Sequence, residues 1–219
     1  MSRSMPFCSI LLSTALALGF GAETLAAGAP KAAKAPKAAP LSAADRARLE
    51  KGEILLGSTE VPGTSFKEGF GRAIIPLPFG RVERAVADVL HYEEFMPFLE
   101  SSTAEPQADG TILSRQRLDL PGVLGTRRLT ARFRLTRPTP TTYKVAWTSL
   151  PGSEVRDQHG SFTLEPFGDG SRGTLVTCRF FLDPGGAAAF LVNPQTERSV
   201  GWILDGLRQH VRRGRYEGG

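Results

Sequence analysis

The sequence predicts an α+β domain in which a curved antiparallel sheet wraps around one long C-terminal helix. Apolar residues recur at helical spacing over residues 78–90 and alternate with polar residues over residues 101–183. A second helical pattern with an apolar stripe then closes the chain. This order of patterns predicts a single mixed domain, which we place at residues 42–215.

The first part of this domain is predicted to contain a short helix, two strands and two further short helices. Ser42 is placed to cap the first helix. Residues 53–61 and 70–77 are expected to be strands, joined by a turn that contains a Pro-Gly pair. Pro78 suits the start of the next helix, and residues 91–99 predict a second short helical piece.

The alternating segment is predicted to be an antiparallel meander. Asp-Gly and Pro-Gly pairs mark its turns, beginning with Asp109-Gly110. Each strand is expected to have one covered face and one face in water. The residues predicted on the covered face are Leu129, Ala131, Phe133 and Leu135, then Tyr143, Val145 and Trp147, then Phe162 and Leu164, and finally Val176, Cys178, Phe180 and Leu182.

The last helix is predicted to reach about residue 213 and to turn its apolar stripe toward the sheet. The stripe includes Val200, Leu204, Leu207 and Val211. A strongly twisted sheet that curls around such a helix leaves space that side chains do not fill. The sequence therefore predicts an apolar pocket between sheet and helix.

The N-terminus has the pattern of a secretory signal peptide, residues 1–26. Arg3 supplies a positive charge, the stretch 7–20 is almost wholly apolar, and Thr24-Leu25-Ala26 offers small residues for cleavage. The apolar stretch is shorter than the ~20 residues of a spanning helix. We expect an exported, periplasmic protein, with secretion or an uncleaved anchor as the alternatives.

Residues 27–41 are rich in Ala, Pro and Lys and predict an extended linker. Cleavage of the leader would remove Cys8 and leave Cys178 alone, so no internal disulfide is expected. The net charge of +5 favours transient contact with an anionic membrane surface. No dense basic block with interleaved aromatics occurs, so we expect no nucleic-acid partner.

Three segments resemble the START-like domains, also called the SRPBCC or helix-grip superfamily. The stretch VERAVADVLHYEEFMPFLESS is similar to the family's opening helices, through Asp88, Tyr92, Phe95, Met96 and Pro97. The stretch from Trp147 to Gly186 resembles the later strands, and the stretch that follows resembles the closing helix. The resemblance covers roughly residues 50–213 and implies a helix-grip fold.

The resemblance also implies a pocket for a hydrophobic ligand, since the family includes lipid-transfer proteins, coenzyme Q-binding proteins and polyketide cyclases. Burial is worth ~0.8 kcal/mol per CH₂ group, so a carrier must offer its ligand a comparably apolar environment. We expect a lipid, sterol or quinone as ligand, a monomer, and no cofactor. The residues predicted to line the cavity are Phe95, Met96, Phe133, Trp147, Phe162, Phe180, Leu204 and Leu207.

The sequence offers few candidates for chemistry. Asp157 and His159 follow a Pro-Gly turn and are predicted to lie at the polar mouth of the pocket, where a cyclase could use them to polarise a carbonyl. No metal-ligand spacing such as HExxH or CxxC occurs, so no metal site is predicted. Cys178 is expected to be a buried structural thiol. We assign no catalytic residue.

Three functions follow from these observations. The first is an exported protein that holds a hydrophobic small molecule for transport or sequestration. The second is a polyketide cyclase or aromatase that uses the same cavity. The third is an interaction module whose interior is filled. Export favours the first, because polyketide substrates are usually held on cytoplasmic carriers.

Overall fold

The computed structural model describes residues 40–169, 172–186 and 189–217. The predicted signal peptide, 1–26, and most of the predicted linker, 27–41, lie outside these residues. The helices are α1 (Ala43–Glu50), α2 (Phe79–Ala87) and α3 (Ala189–His210), with short 3₁₀ segments at Val89–Glu94, Gly122–Leu124 and Gly214–Tyr216. The strands are β1 (Leu55–Glu60), β2 (Lys67–Ile75), β3 (Leu99–Ser102), β4 (Glu105–Pro106), β5 (Thr111–Leu120), β6 (Gly125–Thr139), β7 (Thr142–Ser149), β8 (Asp157–Pro166) and β9 (Thr174–Asp183).

These strands form one curved antiparallel sheet in the order β1-β2-β9-β8-β7-β6-β5-β3, and β4 pairs with β5. Helix α3 packs on the inner face of the sheet and lies closest to β2. Two glycines of β2 allow this approach, since a Cβ at Gly69 would lie 2.9 Å from the Thr196 carbonyl oxygen and one at Gly71 2.7 Å from Val200. The predicted helix-grip architecture is confirmed.

Local sequence explains how the helices begin and end. The Ser42 hydroxyl accepts a hydrogen bond from the Asp45 amide at 3.0 Å and caps α1 as predicted. The second short helical piece is a 3₁₀ segment that ends at Glu94, earlier than expected, because Pro97 disfavours helical geometry in the residue before it. The chain then turns through Phe98, which has a φ of 63°.

The start of α3 is tied to the loop between β1 and β2. The side-chain oxygen of Asn193 accepts a hydrogen bond from the Lys67 amide, and its side-chain nitrogen donates to the Ser65 carbonyl, both at 2.9 Å. These bonds hold the exposed first turns of α3 beside the edge of the sheet. None of the helices in the described ranges is long and apolar enough to cross a bilayer.

Five rings fill the middle of the interior, and we call them the aromatic core: Tyr92, Phe95, Phe133, Trp147 and Phe162. Tyr92 lies edge-on to all four of the others, with its ring centroid 5.0 Å from that of Phe95, 5.5 Å from Phe133, 6.1 Å from Phe162 and 6.5 Å from Trp147. Its hydroxyl donates to the Val86 carbonyl at 2.7 Å, so its one polar group is satisfied. Burial raises the pKa of Tyr92 well above its ordinary value.

Candidate functional site

An apolar cavity of about 60 Å³ lies beside the aromatic core, at the end of the interior that the first half of α3 covers. This is room for a few water-sized groups. Its walls come from the turn after the 3₁₀ segment Val89–Glu94, from β5 and the loop after it, from β9, and from α3. The lining residues are Met96, Pro97, Phe98, Leu118, Leu120, Pro121, Leu124, Phe180, Leu182, Leu191, Val192, Gln195, Thr196, Ser199 and Ile203.

Strand alternation directs the sheet residues of this lining. Phe180 and Leu182 stand two apart on β9 and both face inward, as Leu118 and Leu120 do on β5. Phe98 reaches the cavity from a left-handed backbone conformation, which is rare for a bulky residue and is characteristic of functional sites.

Four large apolar side chains are exposed around this end of the molecule, and we call them the apolar rim: Val123, Phe190, Leu191 and Trp202. Leu191 itself lines the cavity, while Val123 and Phe190 each neighbour a lining residue along the chain. Trp202 packs edge-on against Phe98 with ring centroids 5.8 Å apart. Val123 is 87% exposed and Phe190 73%, so large apolar side chains are exposed beside residues of the cavity wall.

Among the residues that the structure describes, none with a titratable side chain lines the cavity. Its polar members are Gln195, Thr196 and Ser199, all on α3. Thr196 donates a long hydrogen bond of 3.4 Å to the Val192 carbonyl within the helix, and Gln195 accepts one of 3.4 Å from Arg198. This wall can hold an apolar molecule, but it offers no acid or base for proton transfer.

Comparison with known proteins places this geometry in a family. The model of the polyketide cyclase / dehydrase and lipid transport family matches residues 75–208, which run from the end of β2 almost to the end of α3. The chain belongs to this family. It is a START-like domain of the SRPBCC superfamily, as the resemblance in its sequence predicted. No curated protein matches the sequence.

Several solved structures share the START-like fold. A STAR-related lipid transfer protein of Xanthomonas axonopodis is 20% identical, with a TM-score of 0.65 over 73% of this chain and 94% of that one. Human StAR-related lipid transfer protein 5 is 14% identical, with a TM-score of 0.62 over 74% and 82%. An aromatase/cyclase of Streptomyces is 17% identical, with a TM-score of 0.54 over 67% and 93%. At these identities the likeness shows the fold.

The structure divides the eight predicted lining residues of the START-like domain into two groups. Met96 and Phe180 border the cavity. Phe95, Phe133, Trp147 and Phe162 belong to the aromatic core, and Leu204 and Leu207 are buried on α3 with no exposed surface. Contact of any of the eight with a ligand stays a prediction.

The structure does not place Asp157 and His159 in the wall of the apolar cavity, where the sequence predicted a polar mouth. His159 pairs with Phe181 of β9 and stacks on its ring at 4.7 Å. Because Phe180 faces the cavity, its neighbour Phe181 faces the opposite side of the sheet. Oδ2 of Asp157 lies 3.0 Å from Nδ1 of His159, and Asp157 faces a separate polar groove on that outer side.

Sequence reasoning missed several lining residues. Leu118 and Leu120 alternate with polar neighbours at the end of β5, so their inward direction could have been read from the same period as the other rows. Phe98 could not have been found in this way, because its direction depends on the left-handed turn after Pro97.

The buried titratable groups of the described chain lie away from the cavity. Cys178 is buried, and burial raises the pKa of its thiol, as suits the structural role predicted for it. Within the described ranges, no group of three or more His, Cys, Asp or Glu side chains is arranged to hold a metal ion.

His210 is the one buried histidine in the described ranges. It is the last residue of α3 and packs against Phe95, with ring centroids 4.9 Å apart. Its Nε2 lies 2.7 Å from the Tyr216 hydroxyl, which donates to Asp88 at 2.9 Å. Its Nδ1 lies 3.4 Å from a Glu94 carboxylate oxygen. Burial lowers the pKa of His210, and the charge of Glu94 opposes that effect.

Proposed function

We propose that this START-like protein is an exported binding protein that holds a lipid, sterol or quinone in its apolar cavity, for transport or sequestration. The observation that carries the proposal is the wall of the cavity, which is apolar, has no titratable group and adjoins the apolar rim. The lipid-transfer proteins of similar fold support the same reading. A wall of this kind stabilises methylene groups by ~0.8 kcal/mol each and does no proton chemistry.

The size of the cavity indicates how a ligand would enter. About 60 Å³ holds only part of an acyl chain, so a larger ligand needs its walls to separate. The first turns of α3 are the wall with the most exposed side chains, and Asn193 ties them to the β1–β2 loop. We expect ligand entry to involve displacement of this part of α3 from the sheet.

We expect the apolar rim to be the surface through which the protein contacts a membrane. Trp side chains favour the bilayer interface, and Trp202 is exposed beside the cavity. Insertion of Val123, Phe190 and Leu191 into lipid would bring the cavity against the hydrocarbon, so that a ligand need not cross water. The net charge of +5 would add attraction to an anionic surface.

Catalysis is the weaker candidate for this site. An aromatase/cyclase has a similar fold, so a cyclase is the second candidate function. Asp157 and His159, the residues that a cyclase was expected to use, lie on the outer side of the sheet. The wall of the cavity therefore favours binding over proton transfer.

Native mass spectrometry tests the binding proposal most directly. The full chain would be produced with its leader and purified under mild conditions without detergent. We expect a bound molecule that leaves the protein on activation and partitions into organic solvent. Protein that is free of any such molecule and does not take up phospholipid, sterol or quinone from vesicles would contradict the proposal.

The membrane step has its own matched test. Leu191→Asp should slow transfer of a fluorescent lipid between anionic vesicles about tenfold, because it places a charge in the apolar rim. Leu90→Asp is the control, since Leu90 is an exposed leucine that does not line the cavity. Equal transfer by both variants would remove the rim from the mechanism.

Export is tested by the mass of the protein in periplasmic and cytoplasmic fractions. We expect the periplasmic form to begin at about residue 27, after removal of the predicted signal peptide. A full-length chain in the membrane fraction would favour an uncleaved anchor, and a full-length chain in the cytoplasm would overturn the proposed location.

A further inference from the structure

The buried face of α3 becomes polar where it covers the cavity. From Val200 to Leu207 the buried residues of this helix are all apolar, as its packing against the sheet requires. In the preceding turn the buried residues are Thr196 and Ser199, and both line the cavity together with Gln195. Ser and Thr are mostly surface residues, so two of them on the buried face of one helix need an explanation.

The hydroxyls of Thr196 and Ser199 differ in whether they have a partner. A hydroxyl within a helix can donate to the carbonyl four residues earlier, and Thr196 does so, 3.4 Å from the Val192 carbonyl oxygen. Ser199 is only 7% exposed, yet its hydroxyl makes no hydrogen bond to any residue that the structure describes. Native proteins retain few such groups. The free hydroxyl therefore indicates a partner within the cavity that Ser199 lines.

Gln195 lies one helical turn before Ser199 and faces the same cavity. Residues four apart on a helix have their Cβ atoms roughly 5–6 Å from each other. Oε1 of Gln195 accepts a hydrogen bond of 3.4 Å from Arg198, and its NH₂ group is free to donate. Because each hydrogen bond spans about 3 Å, a single oxygen atom between these two side chains can accept from both.

The rest of the cavity wall identifies the class of that oxygen. No lining residue among those described carries a charge, so a carboxylate or phosphate would be buried there without a cation. The oxygen of a ketone, ester, quinone or alcohol is uncharged and has two lone pairs, which match the two donors. A hydrocarbon of the same shape would leave the Ser199 hydroxyl without a partner.

We propose that Ser199 and Gln195 bind an uncharged carbonyl or hydroxyl oxygen of an otherwise apolar ligand. This inference rests on the proposed function and narrows its ligand to lipids that carry such an oxygen in the part that the cavity holds. The two side chains of α3 position the oxygen, and the residues of β5 and β9 hold the apolar part. Pure hydrocarbons and ligands with a charge at this point are disfavoured.

Three probes in one vesicle preparation test this selection. They are methyl pentadecyl ketone, the alkene in which a methylene group replaces the ketone oxygen, and a fatty acid of the same length. Equal amounts are added to vesicles of phosphatidylcholine and phosphatidylglycerol, and the probes bound to the full-length protein are extracted and measured by mass spectrometry. Ketone and alkene have the same shape, so any separation of the cavity walls that they require cancels in their ratio.

Ser199→Ala should lower the ratio of bound ketone to bound alkene about fivefold, because one donor to the ketone oxygen is lost. Uptake of the alkene should be unchanged, and alanine suits a helix, so we expect the variant to fold. Gln195→Leu should lower the ratio about twofold, since Gln195 is partly exposed and water can replace its hydrogen bond.

Two variants serve as matched comparisons. Ser199→Thr keeps the hydroxyl and should keep the preference for the ketone. Thr196→Val removes a hydroxyl from the same wall whose proton is already donated within the helix. It should therefore change the ratio less than Ser199→Ala does. A ratio that falls equally in Thr196→Val and Ser199→Ala would show that general polarity of the wall, rather than Ser199, selects the ketone.

The outcomes distinguish this inference from the proposed function. A ratio that is the same in the wild type, Ser199→Ala and Gln195→Leu would mean that buried water satisfies the hydroxyl, and would overturn the inference while the carrier function stands. Uptake of the fatty acid in preference to the ketone, or of phospholipid without either uncharged probe, would also overturn it. If the wild type takes up none of the probes and no phospholipid, sterol or quinone, the proposed function fails, and the inference fails with it.

Discussion

Two neighbouring regions of the interior differ in how completely side chains fill them. In the aromatic core, rings from three strands meet Tyr92 edge-on, and Gly160 leaves space for the indole of Trp147. In the cavity, most of the facing side chains are aliphatic or small, Phe98 and Phe180 are the aromatic ones, and about 60 Å³ remains open. The same sheet and helix enclose both regions, so the volume of individual side chains, rather than the fold, decides where a ligand can bind.

The aromatic core and the cavity also differ in what they contribute, the first to stability and the second to ligand binding. Close-packed rings contribute most when every face is in contact, as around Phe162. A wall beside open space has contacts on one side only, as at Phe180, and can move without losing many of them. We therefore expect substitutions in the aromatic core to change the free energy of unfolding and substitutions in the cavity to change ligand affinity.

The largest effect is expected for truncation in the aromatic core. Phe162→Ala should lower the free energy of unfolding by about 3–5 kcal/mol. The substitution opens a cavity, and the rigid rings around it cannot move in to fill the space. Phe180→Ala should cost about half as much, since Phe180 is partly exposed and already borders open space. Urea denaturation measures both. Equal losses would show that the two regions are packed equally well.

Overfilling the aromatic core should have the next largest effect. Gly160→Ala should destabilise the protein by about 1–3 kcal/mol, because the new Cβ would overlap both the Trp147 ring and the backbone carbonyl oxygen of Arg179. Gly80→Ala is the matched control, since its Cβ in α2 would lie 3.7 Å from the nearest atom and the change should stabilise the helix by about 0.5–1 kcal/mol. If Gly160→Ala is neutral in urea denaturation, both the indole and the backbone of β9 at Arg179 have room to move.

The inward direction of the strand residues could have been predicted from the sequence. The difference in packing between the aromatic core and the cavity could not. The alternation of apolar residues predicted correctly that Phe133, Trp147 and Phe162 face inward. It could not show that these rings fill one another's space, because packing depends on the register between strands that lie far apart in the sequence. The largest predicted lining residues consequently belong to the aromatic core, and only Met96 and Phe180 border the cavity.

The outer position of His159 was within reach of the sequence. Once Phe162 is placed inward, the period of two puts His159 on the other face. The prediction of a position at the pocket mouth relied on the turn that precedes β8 rather than on the alternation within the strand. Phe98, by contrast, required knowledge of a backbone torsion that no period reveals.

Filling the cavity should affect binding more than stability. Ser199→Leu adds an apolar side chain to the cavity wall on α3. We expect binding of a fluorescent naphthylamine dye to weaken about tenfold, while the free energy of unfolding is unchanged or rises by about 1 kcal/mol. Ser101→Leu, at an exposed position on β3, is the control. Undiminished dye binding would place the ligand somewhere other than this cavity.

The smallest effect is expected from pH, and it should act on the aromatic core alone. His210 packs against Phe95, and burial lowers its pKa below its ordinary value of about 6.5. The unfolded chain therefore binds a proton at a pH where the folded protein does not, so the stability that neutral His210 contributes is present above a pH of about 6.5. It is lost as the pH falls from there through the lower folded pKa.

Unfolding in urea at a series of pH values between about 5 and 8 measures this loss. His210→Gln should reduce the dependence on pH, because glutamine can still donate to Tyr216 but does not titrate. His159→Gln is the control, since His159 lies on the outer face of the sheet. Dye binding should be nearly independent of pH over the range in which the protein stays folded, because the cavity wall has no titratable group. A dye affinity that follows the titration of His210 would show that the aromatic core and the cavity are coupled, and that the division between stability and binding does not hold.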